Sequence, residues 1–279
     1  MYTEIVREYL RECKLPTIWC PGCGHGIVLG AVLRAVHRAG WNKNDTVLIS
    51  GIGCAGRAPG YVDFNTLHTT HGRALTFATG IKLANPKLKV IVVMGDGDAA
   101  AIGGNHFIHA ARRNIDITAI VFNNAIYGMT GGQYSPTTPF GAYASTTPFG
   151  NVEYDFDICE LMKASGATFI ARSVVSNPRQ IENFVYKGLL HKGFSVIDVL
   201  TTCPTGYGRR NKLTDDGVKN IEYARSRVIP IEEWQNMSPE ERRGRFPVGI
   251  FRDLEGRSEY TENYEQKIIP RAQNMGCEK

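Results

Sequence analysis

The chain has 279 residues, 43% of them hydrophobic, and a formal net charge of +5 at pH 7. This length suits one large domain or two small ones, and no apolar run approaches the roughly 20 residues that a membrane-spanning helix needs. Acidic residues are interspersed with the basic ones, which argues against a nucleic-acid-binding stripe but leaves a modestly basic surface suited to acidic substrates or an acidic redox partner.

The first third of the chain combines a short helix with a cysteine motif. The N-terminal sequence contains acidic residues and no apolar signal core, so we expect a cytoplasmic protein. We predict a helix over residues 2–11, then a CxxC motif at 20–23 on a turn rich in glycine and proline, then a helix over residues 26–39. A third cysteine, Cys54, lies on a glycine-rich loop after a predicted strand at 46–50.

Short apolar runs alternate with helical patterns as far as residue 200. The run at 90–94 is apolar on both faces and ends at glycine, which is typical of a parallel strand covered by helices. Further strands are predicted at 117–122, 168–172 and 195–200, helices at 74–84, 103–113, 155–165 and 178–191, and irregular structure at 63–70. The pattern predicts an α/β fold with a mostly parallel sheet and helices on both faces.

Two segments do not follow this alternation. The polar loop after Gly132 contains the sequence TTPFG twice, at 137–141 and 146–150, a duplication too short for a repeat fold. Beyond residue 208 the apolar periodicity weakens. We therefore divide the chain into an α/β domain at 1–208 and an extended C-terminal arm at 209–279, which packs on the domain or on a partner subunit.

Polar residues follow two neighbouring predicted strands. The run at 90–94 stops at Gly95-Asp96-Gly97-Asp98, and the strand at 117–122 stops at Asn123-Asn124. Ligands bind where parallel strands end, and Asp and Asn supply the oxygen ligands that Mg²⁺ prefers beside substrate phosphates. Glycines let backbone N–H groups approach a phosphate. The pattern indicates a Mg²⁺-diphosphate site; the alternative is a glycine-rich turn in which an aspartate caps a helix.

The chain contains seven cysteines, an odd number that argues against a disulfide framework in a cytosolic protein. Cys20, Cys23, Cys54 and Cys203 lie on three loops, and the last two follow predicted strands at the edge that carries Asp96. Four such thiolates hold either structural zinc or a [4Fe–4S] cluster, and a lone CxxC can also be a redox dithiol. The scattered spacing and the neighbouring diphosphate site favour a cluster.

Six motifs in order carry a resemblance to a known family. Within residues 18–208 they are WCPGCGHG, GIGCAGR, HGRALTFATGIKLA, GDGDAAAIGGNH, NNAIYGMTGGQ and CPTGYG. Together they resemble the β subunit of 2-oxoacid:ferredoxin oxidoreductases, and the GDG…NN pair is similar to the signature of thiamine-diphosphate (ThDP) enzymes. The resemblance implies a ThDP-binding α/β domain that carries one [4Fe–4S] cluster.

The resemblance also implies the ligands of each cofactor. Mg²⁺ takes the side chains of Asp96 and Asn124 and the carbonyl of Ile126, and the diphosphate faces Gly97 and Asp98. The other expected cofactor contacts share the glycine-rich motifs: Ile52, Gly53, Cys54, His71, Gly95, Gly128, Met129 and Thr130. The cysteines that match the cluster ligands are Cys20, Cys23, Cys54 and Cys203. Three others have no counterpart and are interpreted as structural or incidental thiols: Cys13, Cys159 and Cys277.

The activity that the resemblance implies is a coenzyme A-dependent oxidative decarboxylation of a 2-oxoacid, or the reverse carboxylation. Electrons pass through the cluster to ferredoxin. ThDP enzymes also need a pyrimidine-binding domain with an activating glutamate, and this sequence contains one α/β region and no candidate for that glutamate. An α subunit is therefore implied, in an αβ unit or an (αβ)2 assembly, with no role for nucleic acid or membrane.

Arg57 and His71 are the candidate catalytic side chains. Arg57 is interpreted as a contact for a substrate carboxylate, which a guanidinium holds with two parallel hydrogen bonds; the alternative is an ordinary surface arginine. His71 resembles a diphosphate or active-site contact by its position in the motif, and the alternative is a helix-capping or core histidine. The arginine and the wording of GIGCAGR and YGMTGGQ favour 2-oxoglutarate as substrate, with succinyl-CoA and CO2 as products.

Three other functions fit the sequence. Within the family, the substrate is pyruvate or a broad range of 2-oxoacids. Within ThDP enzymes, the chain is a decarboxylase subunit with a structural metal that passes no electrons. In a different class, it is a non-enzymatic metal-binding module that uses the α/β domain to dock a partner and binds no ThDP.

Overall fold

The computed structural model describes residues 2–213 and 216–276, so Cys277 lies outside the described residues. The helices are α1 (Tyr2–Glu8), α2 (His25–Arg38), α3 (Ala74–Ala84), α4 (Gly104–Arg113), α5 (Ile158–Ser165), α6 (Pro178–Leu190), α7 (Gly217–Ser226), α8 (Ile231–Trp234), α9 (Pro239–Arg242), α10 (Tyr260–Asn263) and α11 (Ile269–Gly276). The strands are β1 (Thr46–Ser50), β2 (Asn65–His68), β3 (Lys89–Gly95), β4 (Thr118–Asn123), β5 (Ile126–Tyr127), β6 (Gln133–Tyr134), β7 (Phe169–Val174), β8 (Ser195–Leu200), β9 (Val228–Pro230) and β10 (Phe246–Asp253).

One large sheet organises the chain. Its strand order is β2-β1-β3-β4-β8-β7-β10-β9, and β5 and β6 form a separate short hairpin. All neighbours from β2 to β7 pair in parallel, and β10 pairs antiparallel with β7. The predicted α/β fold with a mostly parallel sheet is confirmed.

Alternate residues of the central strands enter two separate cores. Leu48 of β1 packs into the core beneath α2 and α6, whereas Val47 and Ile49 pack into the core beneath α3, α4 and α5. Both faces of each strand are therefore buried, and each buried Leu or Ile contributes about 1.5–3 kcal/mol of hydrophobic stabilisation. This burial on both faces explains why the strands have continuous apolar runs in the sequence.

The structure corrects the prediction of irregular structure at 63–70. Residues Asn65–His68 form β2, which pairs in parallel with β1 at the edge of the sheet. Its side chains are exposed or half-buried, so the segment lacks the apolar run that reveals the inner strands. The next helix, α3, begins at Ala74, and His71 lies in the turn before it rather than at its first residue.

The C-terminal segment contributes to the same sheet. We assigned no strand there, but β10 pairs with β7 and β9 pairs with β10. The pairing of β10 with β7 shifts register between Ile250 and Arg252, and the strand is mostly half-buried, so its apolar alternation is weak. No helix among the described residues is both long and apolar enough to cross a membrane.

Candidate active site

Four loops meet at the edge where the parallel strands end. The loops follow β1, β3, β4 and β8, and they carry Cys54, Asp96, Asn124 and Cys203. Because parallel neighbours end on the same side of a sheet, the topology brings together motifs that are distant in sequence. Two adjoining cavities lie here. We call the one lined by Asp96 and Asn124 the aspartate cavity, and the one lined by four cysteines the cysteine cavity.

The aspartate cavity gathers all the residues that the sequence analysis assigned to Mg²⁺ and ThDP. They are Ile52, Gly53, Cys54, His71, Gly95, Asp96, Gly97, Asp98, Asn124, Ile126, Gly128, Met129 and Thr130. Four further side chains complete its lining: His25, Ala55, Phe122 and Tyr127. A Cβ atom at Gly97 would lie 2.3 Å from the Tyr127 ring, so the GDG turn packs against this ring only with glycine at that position.

Asp96 is held by neutral hydrogen-bond donors. Its side chain is 2% exposed. Its Oδ2 accepts hydrogen bonds from Ser135 Oγ at 2.5 Å and Thr137 Oγ1 at 2.8 Å, and its Oδ1 accepts one from the Asn124 backbone N–H at 3.3 Å. Burial raises the pKa of Asp96, and these hydrogen bonds oppose the rise. A bound cation would stabilise the buried carboxylate, so the site fits Mg²⁺.

The turn after β4 presents the other two expected Mg²⁺ ligands. Asn124 and Ile126 flank Ala125, whose φ of 60° lies in the left-handed region that L-residues adopt rarely. The Asn124 side-chain oxygen accepts a hydrogen bond from the Ile126 N–H at 3.3 Å. Thr138 Oγ1 donates to the Ala125 carbonyl at 2.6 Å. These bonds hold the turn in a conformation that brings both residues to the aspartate cavity.

Asp98 has one carboxylate oxygen that is satisfied and one that is not. Oδ1 accepts hydrogen bonds from the Gly72 N–H at 2.6 Å and the Ile52 N–H at 3.4 Å, and it lies 2.5 Å from His71 Nδ1. Oδ2 is buried without a hydrogen-bond partner among the described residues. Burial raises the pKa of Asp98. His71 thus lines the cavity and contacts a second lining residue, Asp98; the centroids of the His71 and Tyr127 rings lie 5.9 Å apart.

The cysteine cavity contains all four predicted cluster ligands: Cys20, Cys23, Cys54 and Cys203. A Cβ atom at Gly128 would lie 3.1 Å from Cys203 Sγ and 4.0 Å from Cys54 Sγ. The Gly206 N–H donates to Cys203 Sγ at 3.2 Å, and Trp19 Nε1 donates to the Cys54 carbonyl at 2.8 Å.

The four cysteines of the cysteine cavity can hold a metal group only as thiolates. Burial raises the pKa of the Cys23 thiol to about 11, with further contributions from the three other cysteines. A positively charged iron–sulfur core would favour the thiolates, so the donor set fits a cluster.

The two cavities share a wall. Five residues belong to both linings: His25, Cys54, Asn124, Gly128 and Met129. A group bound among the cysteines would therefore lie next to a group bound at Asp96 and Asn124.

Comparisons with known proteins decide the family. Residues 51–199 match the family described as thiamine pyrophosphate enzyme, C-terminal TPP binding domain; thiamine pyrophosphate is another name for ThDP. The chain is 47% identical over 261 residues to the 2-oxoglutarate synthase subunit KorB of Methanocaldococcus jannaschii, covering 94% of this chain and 96% of that protein. It is 39% identical over 271 residues to the 2-oxoacid:ferredoxin oxidoreductase subunit beta of Saccharolobus solfataricus, covering 91% and 86%.

The chain belongs to the β subunits of the 2-oxoacid:ferredoxin oxidoreductases. A solved structure agrees with this. The 2-oxoglutarate:ferredoxin oxidoreductase of Magnetococcus marinus, with 2-oxoglutarate, coenzyme A and succinyl-CoA bound, superimposes with a TM-score of 0.83 at 34% identity, covering 97% of this chain and 90% of that one. The predicted family, the ThDP-binding fold and the oxidoreductase class are confirmed.

Arg57 lies apart from both cavities in this β subunit. It is exposed on the 3₁₀ turn Ala55–Gly60 and belongs to neither lining. Its positive charge is close enough to Cys54 to lower the pKa of that thiol, although burial raises it more. The structure thus brings His71 to the aspartate cavity and leaves Arg57 outside it.

Several residues of the site were missed by the sequence analysis. His25 is 1% exposed and lines both cavities, and burial lowers its pKa to about 4. Its position two residues after the CxxC motif was the available signal. Tyr127 donates from its hydroxyl to the Gly97 carbonyl at 3.2 Å. Ser135 and Thr137 come from an irregular loop, where nothing in the sequence pattern indicates burial.

The remaining described cysteines lie away from the cysteine cavity. Cys13 is exposed on the 3₁₀ turn Glu12–Lys14, and Cys159 is fully buried in α5 within the core beneath that helix. Burial raises the pKa of the Cys159 thiol far above its ordinary value, which favours an inert structural thiol.

Proposed function

We propose that this chain is the β subunit of a 2-oxoglutarate:ferredoxin oxidoreductase. The enzyme converts 2-oxoglutarate and coenzyme A to succinyl-CoA and CO2 with transfer of electrons to ferredoxin, or catalyses the reverse carboxylation. The observation that carries the proposal is the shared wall between the aspartate and cysteine cavities. We choose 2-oxoglutarate as substrate because of the relatives named 2-oxoglutarate synthase subunit KorB. The KorB protein of Archaeoglobus fulgidus is 61% identical over 198 residues, covering 71% of this chain and 74% of that protein.

The aspartate cavity is the proposed Mg²⁺–ThDP site. The Asp96 and Asn124 side chains and the Ile126 carbonyl hold Mg²⁺, whose preference is for a few oxygen ligands plus phosphate oxygens. The diphosphate lies against Gly97 and Asp98, where the chain enters the π-helical turn Asp98–Ile102 and then α4. His71 keeps Asp98 in place through its ring nitrogen. When bound, ThDP supplies the electron sink for decarboxylation.

The cysteine cavity is the proposed site of one [4Fe–4S] cluster, with Cys20, Cys23, Cys54 and Cys203 as ligands. Its contribution is one-electron transfer. Support comes from the three converging loops, from the backbone N–H of Gly206 directed at Cys203 Sγ, and from the position of the cavity beside the aspartate cavity. Solvent access and N–H groups directed at sulfur both affect the reduction potential of a cluster.

Partners complete the proposed enzyme. An α subunit supplies the pyrimidine-binding domain and the activating glutamate, in an (αβ)2 assembly, and ferredoxin receives the electrons. Arg57 is the proposed contact for a substrate carboxylate, since its guanidinium is exposed on the 3₁₀ turn that follows Cys54. The cysteines Cys13, Cys20, Cys23, Cys54, Cys159 and Cys203 are free thiols, which supports the further proposal of a cytoplasmic location.

The test is a panel of 2-oxoacids with the co-expressed α and β subunits, read by viologen or ferredoxin reduction. We expect the highest kcat/KM for 2-oxoglutarate, with dependence on coenzyme A. A higher kcat/KM for pyruvate would favour the pyruvate or broad-specificity alternative. Aldehyde release by a colourless zinc protein would favour the decarboxylase, and a complex without ThDP would favour the docking module.

A further inference from the structure

Three buried hydroxyls lie in a single turn that contacts Asp96 and Ala125. Ser135 is 2% exposed, Thr137 is 5% exposed and Thr138 is fully buried. The Thr138 N–H donates to the Ser135 carbonyl at 3.0 Å, and the Ser135 N–H donates to Thr138 Oγ1 at 2.8 Å. These two bonds close the turn. Both closing bonds are donated by backbone N–H groups and use no hydroxyl proton. The hydroxyls can therefore donate to the neighbouring loops.

Two of these protons are directed at one carboxylate oxygen. Ser135 Oγ and Thr137 Oγ1 donate to Asp96 Oδ2 at 2.5 and 2.8 Å. Asp96 Oδ1 receives a longer bond, from the Asn124 N–H at 3.3 Å. The two oxygens are thus made unequal: Oδ2 is occupied by donors, and Oδ1 keeps lone pairs for a cation. Because hydroxyls are neutral, they orient the carboxylate without cancelling the charge that attracts Mg²⁺.

The third hydroxyl holds the other half of the site. Thr138 Oγ1 donates to the carbonyl of Ala125 at 2.6 Å, and Ala125 is the residue with positive φ between Asn124 and Ile126. One turn of four residues therefore fixes Asp96, which follows β3, and the Asn124–Ile126 segment, which follows β4. The three proposed ligands come from these two loops, so fixing the two loops relative to each other is enough to bring the ligands to one ion.

The second TTPFG sequence provides an internal comparison. Thr146 and Thr147 occupy the places that Thr137 and Thr138 hold in the first, yet Thr146 is exposed. Their hydroxyl oxygens accept from the Tyr134 and Ala144 N–H groups, each at 3.1 Å, within the loop itself. The TTPFG sequence alone does not create the contacts with Asp96. They form because the fold places the Thr137 hydroxyl of the first copy beside Asp96.

We propose that Ser135, Thr137 and Thr138 are positioning residues that set the Mg²⁺ affinity of this subunit. They hold Asp96 and the Asn124–Ile126 segment in the arrangement that the ion requires before it binds. This inference rests on the Mg²⁺–ThDP site of the proposed function. Loss of a hydrogen bond that orients a metal ligand typically lowers metal affinity about 10- to 100-fold, and we expect that range for removal of the Thr137 hydroxyl.

The experiment uses the complex of this chain with its co-expressed partner subunits, stripped with a chelator. Mn²⁺ replaces Mg²⁺, since both prefer octahedral oxygen ligands. Free Mn²⁺ is followed by electron paramagnetic resonance during titration with excess ThDP. Thr137→Val, which preserves shape and removes the hydroxyl, is expected to raise the Mn²⁺ Kd about 10- to 100-fold. Thr137→Ser restores the donor and is expected to restore a Kd near that of the wild type.

Thr146→Val is the matched control, and its Kd is expected to equal that of the wild type. Ser135→Ala removes the second donor to Asp96 and gives an independent reading if Thr137→Val does not fold. Wild-type Kd values for Thr137→Val and Ser135→Ala would overturn the inference while leaving the proposed function intact. A wild-type complex that binds no Mn²⁺ with ThDP would overturn the proposed function, and the inference with it.

Discussion

Buried carboxylates in two parts of the sheet differ in what balances their charge. At the aspartate cavity, Asp96 and Asp98 are each 2% exposed, and burial raises both pKa values. Farther along the sheet, Arg172 donates to Asp198 at 2.8 Å and to Asp157 at 2.7 Å. Asp157 is half-buried; burial raises its pKa, but the guanidinium acts against this and the pKa lies below its ordinary value. Asp198 is fully buried, and burial raises its pKa although the same guanidinium lowers it.

The carboxylates paired with Arg172 stabilise the fold, whereas Asp96 belongs to the candidate active site. The Arg172 guanidinium forms ion pairs with Asp198 and Asp157, and these pairs join β7, β8 and the start of α5. At Asp96 the donors are neutral hydroxyl and backbone groups, so a bound cation would supply the balancing charge. Cys23 differs from both, because its buried thiol has a pKa of about 11, is neutral at pH 7 and must lose its proton to bind a metal.

The strongest test of the comparison is Asp96→Ala. We expect viologen reduction to fall by at least about 100-fold, because loss of a side chain that binds the metal directly costs more than loss of one that orients it. ThDP and Mg²⁺ per complex should fall with it, while iron content is unchanged. Cofactor and metal analysis of the purified complex measures both quantities. Asp45→Ala, at an exposed position, is the control, and full ThDP content in Asp96→Ala would contradict the assignment of Asp96.

Replacing a thiol tests the same idea in the cysteine cavity. Cys23→Ser should abolish reduction of ferredoxin and lower the iron content, with ThDP retained, since the two cavities use different ligands. The matched variant is Cys159→Ser, another buried thiol but one that lies in the core. It should keep its iron and lose only stability. Equal iron in both variants would remove Cys23 from the cluster ligands.

Arg172→Met tests the other part of the comparison, because it removes the cation that pairs with Asp198 and Asp157. Asp198 would then be buried without its partner, and we expect the free energy of unfolding to fall by about 3–5 kcal/mol. ThDP and iron in the folded fraction should not change. Denaturant unfolding of the purified subunit measures the loss. Lys163→Met breaks the exposed pair with Glu160 and should cost less than about 1 kcal/mol; an equal loss in both would contradict the prediction.

The smallest expected effect concerns His191, a histidine without a close carboxylate partner among the described residues. Burial lowers the pKa of His191, and its nearest carboxylate, Asp253, is 3.9 Å away. The unfolded chain therefore takes up a proton at higher pH than the folded chain does, so stability falls as pH drops below about 6.5. Between pH 7 and pH 5.5 we therefore expect this residue to lower the free energy of unfolding.

His191→Gln is the variant that isolates this contribution. Glutamine cannot titrate, and its side chain still offers a polar group to Thr168, whose hydroxyl lies 2.7 Å from His191 Nε2. The unfolding free energy of the variant should depend less on pH across that interval than that of the wild type. Identical slopes for both proteins would show that another group carries the dependence.

The inner strands and the sheet-edge motifs were predictable because their signals are local. A strand buried on both faces must be apolar throughout, as 90–94 is, and Asp96 and Asn124 stand directly at strand ends. Cys54 and Cys203 also come shortly after strands, and Cys20 and Cys23 form a recognisable CxxC motif. The predicted boundaries of α3 and β1, 74–84 and 46–50, coincide with the observed ones.

Features that depend on tertiary contact were not predictable. Edge strand β2 and the antiparallel β10 bury too little of their surface to show periodicity. Ser135 and Thr137 reach Asp96 across about forty residues of sequence, and no local pattern separates them from Thr146 in an almost identical motif. The exposure of Arg57 likewise depends on how the turn after Cys54 packs.

The wall between the two cavities has a consequence for electron tunnelling, whose rate falls steeply with distance. Gly128 and Cys54 belong to both linings, and a single added carbon at Gly128 would meet Cys203 Sγ at 3.1 Å. The partition is therefore built partly from backbone. Side chains change rotamer more easily than a backbone segment changes its path. With the proposed cofactors in the two cavities, the backbone of Gly128 would set part of the gap between electron donor and acceptor.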